Sequence, residues 1–210
     1  MNYVKYPRTH HLPWSPGVSD DDRVMKDTSS LHGKRVIITK KMDGENTTMY
    51  SDHIHARSLD SHGGVDRDWV TKFWSTFAHD IPRDWRICGE NCWAKHSIHY
   101  SDLPSYFLGF SVWNEQNVCL SWDDTLTYFE LLGIKPVTVI WDGIFEVVPF
   151  GNIEANMHWD QDEGYVVRAA DSFNYTQFNA NMAKYVRKGH VQTTKHWRTG
   201  GAFIPNTLKK

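Results

Sequence analysis

A lysine at the end of a predicted strand, directly before a tight turn, has the setting of a nucleophile. Lys41 follows the run Lys-Arg-Val-Ile-Ile-Thr at residues 34–39, whose β-branched content is typical of a strand. Asp43 and Gly44 predict the turn that ends this strand, and residues 47–50 predict the next one. A lysine in that position is held rigidly, exposed in whatever cleft the sheet lines. The alternative is that Lys41 is an ordinary charged residue beside an Asp-Gly hairpin. Motifs elsewhere in the chain are needed to choose between these two interpretations.

The spacing around Lys41 resembles the first motif of the covalent nucleotidyltransferases, the superfamily of ATP-dependent ligases and capping enzymes. That motif is Lys-x-Asp-Gly with an asparagine two residues after the glycine, here Asn46. In the superfamily the lysine attacks the α-phosphate of a nucleotide and carries the nucleotidyl group as a phosphoramidate. The resemblance implies that Lys41 is the nucleophile, that Asn46 holds a phosphate, and that Lys40 lies beside the nucleotide.

Two glutamates match later motifs of the same superfamily. Glu90 ends the short predicted strand at residues 86–91, and the resemblance implies that it accepts a hydrogen bond from a ribose hydroxyl. Glu163 precedes Gly164 and an apolar strand, and the resemblance implies that it binds the catalytic divalent metal, Mg²⁺ or Mn²⁺. Such a carboxylate beside an anionic nucleotide requires a cation to offset its charge. Taken singly, a carboxylate before a strand is common surface chemistry.

Two further motifs resemble family sites less completely. Arg57 stands where these ligases carry a basic residue that suits a phosphate or a ribose edge. Phe110 matches the aromatic that stacks on the purine, but Ser111 follows it where the family often has an acidic residue. Taken alone, Arg57 is equally well an exposed strand arginine, and Phe110 an ordinary core aromatic.

The last motif usually carries two lysines separated by one residue, both facing the α-phosphate from one side of a strand. Lys184 matches the first lysine, whereas Val186 stands at the position of the second. Arg187 or Lys188 could substitute for the missing lysine, or Lys184 could act alone. The same two basic residues, with Arg8 and Arg57, are candidates for contact with nucleic acid.

These landmarks occur in the expected order over residues 35–190, so the chain resembles an ATP-dependent RNA ligase. The resemblance implies an α+β adenylyltransferase domain, with two antiparallel sheets flanked by helices around a nucleotide cleft. We expect an N-terminal arm at 1–33, a core at 34–190 and a tail at 191–210. Only 22 residues follow Lys188, too few for an OB domain, which favours the RNA branch.

The chemistry implied is transfer of AMP from ATP to Lys41, then to a 5′-phosphate end of RNA, and sealing by a 3′-hydroxyl. We expect Lys40, Lys184 and the metal to lower the pKa of Lys41 by repulsion between like charges. The alternatives are a minimal DNA ligase, an enzyme that adenylates ends without sealing them, and an inactive nucleic-acid-binding module of the same fold.

The elements that must position these residues are also predicted by the sequence. Aromatic residues at helical spacing predict a helix over residues 66–81, which Pro82 ends. Residues 103–113 predict a buried strand, and a helix is predicted from a cap at Ser121 to Gly133. Residues 135–141 predict another strand, turned by the Asp-Gly pair at 142–143. The arm at 6–17 is rich in proline and histidine and should pack over the core, with Arg8 in reach of a phosphate.

Composition limits the class of protein. The formal charge of the 210 residues is −2, so any nucleic-acid site must be a local patch. No apolar run approaches a membrane span, and three cysteines, an odd number, indicate a reducing cytoplasm. A zinc site built on Cys88 and Cys92 is a weaker alternative, because their spacing fits no standard zinc finger.

Overall fold

The computed structural model of the protein describes residues 3–60, 64–190 and 203–210. The strands in chain order are β1 (His10–His11), β2 (Arg35–Lys41), β3 (Glu45–Met49), β4 (Ile54–Ala56), β5 (Arg86–Asn91), β6 (Phe107–Trp113), β7 (Val118–Cys119), β8 (Lys135–Pro136), β9 (Val139–Ile144), β10 (Gly164–Ala169), β11 (Phe173–Asn174) and β12 (Met182–Val186). The α-helices are α1 (Val65–Ser75), α2 (Trp122–Leu131), α3 (Phe150–Ala155) and α4 (Phe178–Asn181).

The strands form two sheets. The first sheet has the order β1-β12-β10-β2-β9, and the second has the order β11-β7-β6-β5-β3-β4 with β8 beside β6. Among the strands that the structure describes, all pairings are antiparallel except β1 with β12 and β6 with β8, two short additions. The predicted α+β class with two largely antiparallel sheets is therefore confirmed.

The chain passes from the first sheet to the second at the Asp43–Gly44 turn. Strand β2 before the turn pairs with β10, whereas β3 after the turn pairs with β5. The turn is therefore not the hairpin considered above, because its two strands belong to different sheets. This crossing places Lys41 and Asn46 on opposite sides of one junction.

The helices cover the outer faces of both sheets. Helices α1 and α2 pack Val70 and Phe129 on the second sheet, against buried residues of its strands such as Ile87. Helix α3 packs Ile153 on the first sheet, against Val36 and other residues of β2 and β10. Burial of these apolar faces supplies the main stabilisation of the layers, at about 25 cal/mol per Å² of apolar surface.

The helix predicted over residues 66–81 is too long. Helix α1 ends at Ser75, and only a short 3-10 turn, Ala78–Asp80, follows. The hydroxyl of Thr76 donates to the Phe73 carbonyl at 2.7 Å, which competes with continuation of the backbone ladder. Phe77 leaves the helical region at φ −133° but stays buried, which explains why the aromatic spacing suggested a longer helix.

Two predicted strand boundaries are also wrong. Strand β6 begins at Phe107 rather than at residue 103, because Leu103 bridges to Leu208 and is followed by Pro104. Asp142 and Gly143 do not form a turn but lie inside β9, where they pair with Ile37 and Val36. The cap of α2 is confirmed, since the hydroxyl of Ser121 accepts a hydrogen bond from the Asp124 amide.

The N-terminal arm packs over the core. Tyr6 is buried against Phe110 and Phe178, and β1 extends the first sheet by pairing with β12. Residues 191–202 of the expected tail lie outside the described residues. Within the described ranges, no helix combines the length and apolarity that a membrane crossing would require.

The thiols of Cys88 and Cys92 are free and buried, and burial raises the pKa of both. Neither belongs to the group of potential metal ligands found among the described residues, which is built from other side chains. The zinc alternative therefore gains no support from the tertiary structure.

Candidate active site

A cleft of about 880 Å³ lies where the two sheets meet, a size suited to a nucleotide-sized ligand. It brings together nine of the residues singled out in the sequence. These are Arg8, Lys40, Lys41, Asn46, Arg57, Glu90, Phe110, Glu163 and Lys184. Arg187 and Lys188 are not among the residues that line it.

Lys41 lies at the end of β2, with its side chain one quarter exposed rather than open to solvent. Its Nζ donates a hydrogen bond to Oε2 of Glu163 at 2.6 Å. The register explains this contact, because Lys41 pairs with Gly164 directly after Glu163. A Cβ at position 164 would come within 1.9 Å of the Tyr185 carbonyl oxygen, so only glycine permits the close approach of β12 there.

The electrostatics of Lys41 differ from the expectation. Burial alone would lower the pKa of Lys41, but the carboxylates of Glu163, Glu90 and Asp43 outweigh it and raise the pKa. The ammonium of the adjacent Lys40 pairs with Asp162 at 2.8 Å. In the ligand-free protein the pKa of Lys41 is therefore raised, and the expected lowering, which includes a bound metal, stays a prediction.

Glu90 and Asn46 face each other across β5 and β3. Burial, together with the nearby charges of Glu163 and Asp43, raises the pKa of Glu90 to about 8, although Lys41 opposes that shift. The Oδ1 atom of Asn46 is buried without a hydrogen-bond partner among the described residues. A buried amide oxygen of this kind is satisfied when a donor enters the cleft.

Asp43, which the sequence suggested only as a turn residue, lies beside Glu163. Nε2 of His190 is 3.4 Å from Oε1 of Glu163 and 3.7 Å from Oδ1 of Asp43. One ligand atom from each of these three residues lies within 4.8 Å of the other two. Burial opposes ionisation of Asp43, but the neighbouring His190 and the hydrogen bond from the Ile98 amide lower its pKa to about 2.

Lys184 faces the cleft from β12 and is held by the N-terminal arm. Its Nζ donates to Oδ1 of Asp22 at 3.0 Å, and Oδ2 of Asp22 lies 3.2 Å from Nε2 of His11. Burial lowers the pKa of Lys184 despite this ion pair. Val186, at the place of the second motif lysine, is buried and lies against the arm at Gly17.

Phe110 is half-buried, with its ring at the cleft and 5.2 Å from the ring of Tyr6. Its backbone carbonyl accepts a hydrogen bond from Arg168 at 3.2 Å, so a strand of the first sheet anchors a strand of the second. Ser111 is fully buried and accepts a hydrogen bond from Trp113 Nε1 at 3.1 Å. An acidic side chain there would lack solvent, which accounts for the serine.

The remaining basic candidates divide into two groups. Arg57 lies at the cleft, where burial and the neighbouring charge of Arg8 lower its pKa. Arg8 donates a 2.5 Å hydrogen bond to the Asp21 carbonyl. Lys188 is exposed, whereas Arg187 is half-buried with Nε unpartnered among the described residues.

Sequence reasoning missed four residues of this site. Asp43 was assigned to the turn, Arg168 had no role, and Asp22 and His190 lay in segments without a recognised motif. A signal existed only for Asp43, which is a fixed position of the first motif. The others approach the cleft through contacts between residues far apart in the chain, which no local pattern reveals.

A sequence profile of the RNA ligase family matches residues 34–186. The chain belongs to the RNA ligase family. The matched range contains Lys41, Glu90, Phe110, Glu163 and Lys184 but excludes the arm and everything after β12. A comparison with curated proteins gives no match.

Solved structures of ligases share the fold of this RNA ligase family member. An archaeal ATP-dependent RNA ligase superimposes with a TM-score of 0.59 and 16% identity, covering 88% of this chain and 48% of its own. An Aquifex aeolicus protein provisionally assigned as an ATP-dependent DNA ligase superimposes with a TM-score of 0.56 and 18% identity. The match covers 88% of this chain and 50% of the Aquifex aeolicus chain. A Naegleria gruberi RNA ligase mutant solved with ATP and Mn superimposes with a TM-score of 0.52 and 13% identity. The match covers 90% of this chain and 62% of the Naegleria gruberi chain.

At these identities the likeness establishes the fold alone. The chain spans about half the length of the first two structures. Activity, substrates and site roles must therefore be argued from the residues of this chain.

Proposed function

We propose that this chain is an ATP-dependent RNA ligase that carries AMP on Lys41. One observation carries the proposal: a half-enclosed lysine amine is ringed by Glu163, Glu90 and Asp43 in a nucleotide-sized cleft. The three carboxylates around this one amine come from separate parts of the chain, namely β5, the turn after β2 and the segment before β10. Such concentrations of perturbed ionisable groups are typical of functional sites.

The nucleotide is proposed to lie between the two sheets. Phe110 stacks on the base, which is worth about 1–3 kcal/mol for an aromatic platform. Glu90 and the unpartnered Oδ1 of Asn46 suit the hydroxyls of the ribose, while the Asn46 amide nitrogen and Arg57 suit phosphate oxygens. Lys40 lines the same cleft and would reach the phosphates after leaving Asp162.

Asp43, Glu163 and His190 are proposed to hold a divalent cation. The two carboxylates suit Mg²⁺ or Mn²⁺, the imidazole adds a neutral nitrogen, and the spacing of the three ligand atoms fits one ion. When bound, the cation would neutralise negative charge on the α-phosphate. The Naegleria gruberi RNA ligase solved with ATP and Mn supports this choice of nucleotide and ion.

The first step is proposed to be an in-line attack. Lys41 must lose a proton to solvent, and a cation beside Glu163 and Asp43 would favour this loss by offsetting the carboxylates that hold the proton. The neutral Nζ then bonds to the α-phosphorus, and the bond from that phosphorus to the bridging oxygen breaks to release pyrophosphate. Lys184, freed from Asp22, stabilises the charge that develops on the α-phosphate oxygens.

In the later steps the AMP passes from Lys41 to a 5′-phosphate of RNA, and a 3′-hydroxyl displaces it to seal the strand. Arg8 and Arg57 lie close together at the cleft and are candidates for the RNA phosphate. Arg187 and Lys188 remain weaker candidates, because neither lines the cleft.

The test is incubation with ATP labelled at the α-phosphate and Mg²⁺. The wild-type chain should acquire a label that is released by acid, as expected of a phosphorus–nitrogen bond, and Lys41→Ala should acquire none. Lys72→Ala, on the exposed side of α1, is the matched control and should label normally. Persistent labelling of Lys41→Ala would overturn the assignment.

A chase with 5′-phosphorylated ends separates the related functions. Joined RNA strands support an RNA ligase, joined DNA strands support a minimal DNA ligase, and adenylated ends without joining support an end-modifying enzyme. A wild-type chain that binds RNA but never takes up label would instead be an inactive binding module.

A further inference from the structure

The loop at residues 92–103 holds the carboxylate of Asp43. The backbone amides of Ser97 and Ile98 each donate to Oδ2 of Asp43 at 2.7 Å. In return, the amide of Asp43 donates to the hydroxyl of Tyr100 at 2.9 Å. Three hydrogen bonds therefore fix both the side chain and the backbone of Asp43 to this one loop.

The loop itself contains no regular strand or helix that would define its shape. Its shape is instead defined by the C-terminal segment, residues 203–210, which runs along it. The amide of Lys95 donates to the Ile204 carbonyl at 2.7 Å, and the amide of Leu103 donates to the Thr207 carbonyl at 3.1 Å. Two β-bridges, from Ala94 to Pro205 and from Leu103 to Leu208, join the same two segments.

Asn206 is the centre of this contact, and its side chain is fully buried. Its Nδ2 donates to the Cys92 carbonyl at 2.8 Å, and its Oδ1 accepts from the Tyr100 amide at 2.8 Å. Its own amide donates to the Trp93 carbonyl at 2.8 Å. The side chain thus clamps the two ends of the loop by using a donor and an acceptor at once, as an amide does well.

Tyr100 joins the two sets of contacts. Its backbone amide is bound by Asn206, and its hydroxyl is bound by the amide of Asp43. We propose that Asn206 is a positioning residue for the active-site carboxylate of Asp43, acting through Tyr100 and the loop at 92–103. This inference rests on the proposed function for the role of Asp43 but adds a residue that lies outside both the cleft and the profile match.

The physical reason lies in the burial of the clamp. Without the amide of Asn206, the part-buried Tyr100 amide and the buried Cys92 carbonyl lose their partners, so the loop must shift to satisfy them. A shift of Ser97 and Ile98 re-aims the Asp43 carboxylate, while the cleft residues on the strands stay in place. Loss of an outer hydrogen-bond partner of a metal site typically costs about 10–100-fold in metal affinity or activity.

The experiment compares Asn206→Ala and Tyr100→Phe with the wild type. Tyr100→Phe removes only the hydroxyl that binds Asp43, so it tests the link even if Asn206→Ala does not fold. Thr207→Val is the matched control, because it removes the 2.9 Å hydrogen bond to the Ser101 carbonyl on the exposed side of the same segment. Melting temperatures identify variants that have merely lost stability.

Two readouts are measured on each folded variant. Single-turnover labelling should show a maximal rate reduced about 10-fold or more with an unchanged KM for ATP. Mn²⁺ binding, followed by electron paramagnetic resonance without ATP, should weaken by a similar factor. In the background of Asp43→Asn, the change at position 206 should have no further effect on either readout, because its action passes through the absent carboxylate.

The outcomes are distinct. Equal rates and equal Mn²⁺ affinities for the wild type and both variants would overturn the positioning role, as would fully additive losses with Asp43→Asn. If the wild type takes up no label, the proposed function fails, and the Mn²⁺ measurements alone then decide whether Asn206 positions Asp43.

Discussion

Lys41 and Glu163 are joined by a hydrogen bond of 2.6 Å although 122 positions separate them in the chain. The contact also affects the protonation of the amine, because Glu163 has the largest effect of the carboxylates that raise the pKa of Lys41. The same contact that orients the amine therefore keeps it protonated. Any reaction at Lys41 requires that the influence of Glu163 be reduced first.

Addition of Mg²⁺ or Mn²⁺ should lower the pKa of Lys41. A cation beside Glu163 and Asp43 offsets two of the carboxylates that hold the proton on Lys41, so the neutral amine appears at lower pH. Competitive labelling with an amine-specific reagent across pH, read by mass spectrometry, measures the midpoint directly. Lys72 serves as the internal control. A titration midpoint for Lys41 that is the same with and without metal would contradict the proposed ion site.

Asp22→Asn should lower the KM for ATP in the labelling reaction. Lys184 is held by the Asp22 carboxylate at 3.0 Å, so an entering α-phosphate must compete with that carboxylate. Removing its charge should lower the KM roughly 3- to 10-fold, about 0.7–1.4 kcal/mol. Asp20→Asn, at an exposed position of the same segment, is the control. A higher KM in Asp22→Asn would mean instead that Asp22 supports the bound nucleotide.

His190→Gln should weaken Mn²⁺ binding. The imidazole lies 3.4 Å from Glu163 and 3.7 Å from Asp43, so the substitution removes one of three candidate ligands but keeps a polar side chain. We expect a loss of about 10-fold or more in Mn²⁺ affinity by electron paramagnetic resonance. His99→Gln at an exposed position should bind like the wild type. Unchanged affinity in His190→Gln would restrict the site to the two carboxylates.

Glu90→Gln should change the pH dependence of stability. The pKa of Glu90 is raised from 4.5 to about 8 in the folded protein. Its protonated form therefore stabilises the fold fully below about pH 4.5, and this contribution is lost as the pH rises towards 8. Glutamine stays neutral. The melting temperature of the variant minus that of the wild type should therefore increase as the pH rises from 5 to 8.

Thermal melts without metal or nucleotide check this prediction for Glu90, with Glu130→Gln at an exposed position of α2 as the control. If the difference in melting temperature between Glu90→Gln and the wild type stays constant across that pH range, the pKa of Glu90 is not raised in the folded chain.

Local signals in the sequence predicted much of the cleft. Strand β2 and its turn were predicted from β-branched residues and an Asp-Gly pair, and the fixed spacing from Lys41 to Asn46 indicated the nucleophile. The two glutamates and Lys184 followed from the same kind of pattern, and all of them line the cleft. Helix α1 was predicted too long because buried aromatics continue past its last turn.

The sequence by itself determined which residue types stand at fixed distances along the chain, and hence the candidate nucleophile, the strands that carry it and the family resemblance. Only the tertiary structure decided the protonation of Lys41, the pairing of Lys184 with Asp22, the approach of His190 to Asp43, and the contact of Asn206 with the loop at 92–103. The physical reason is that ionisation depends on burial and on charges a few ångströms away, and several of those neighbours, such as Glu163 beside Lys41, come from segments more than a hundred positions distant.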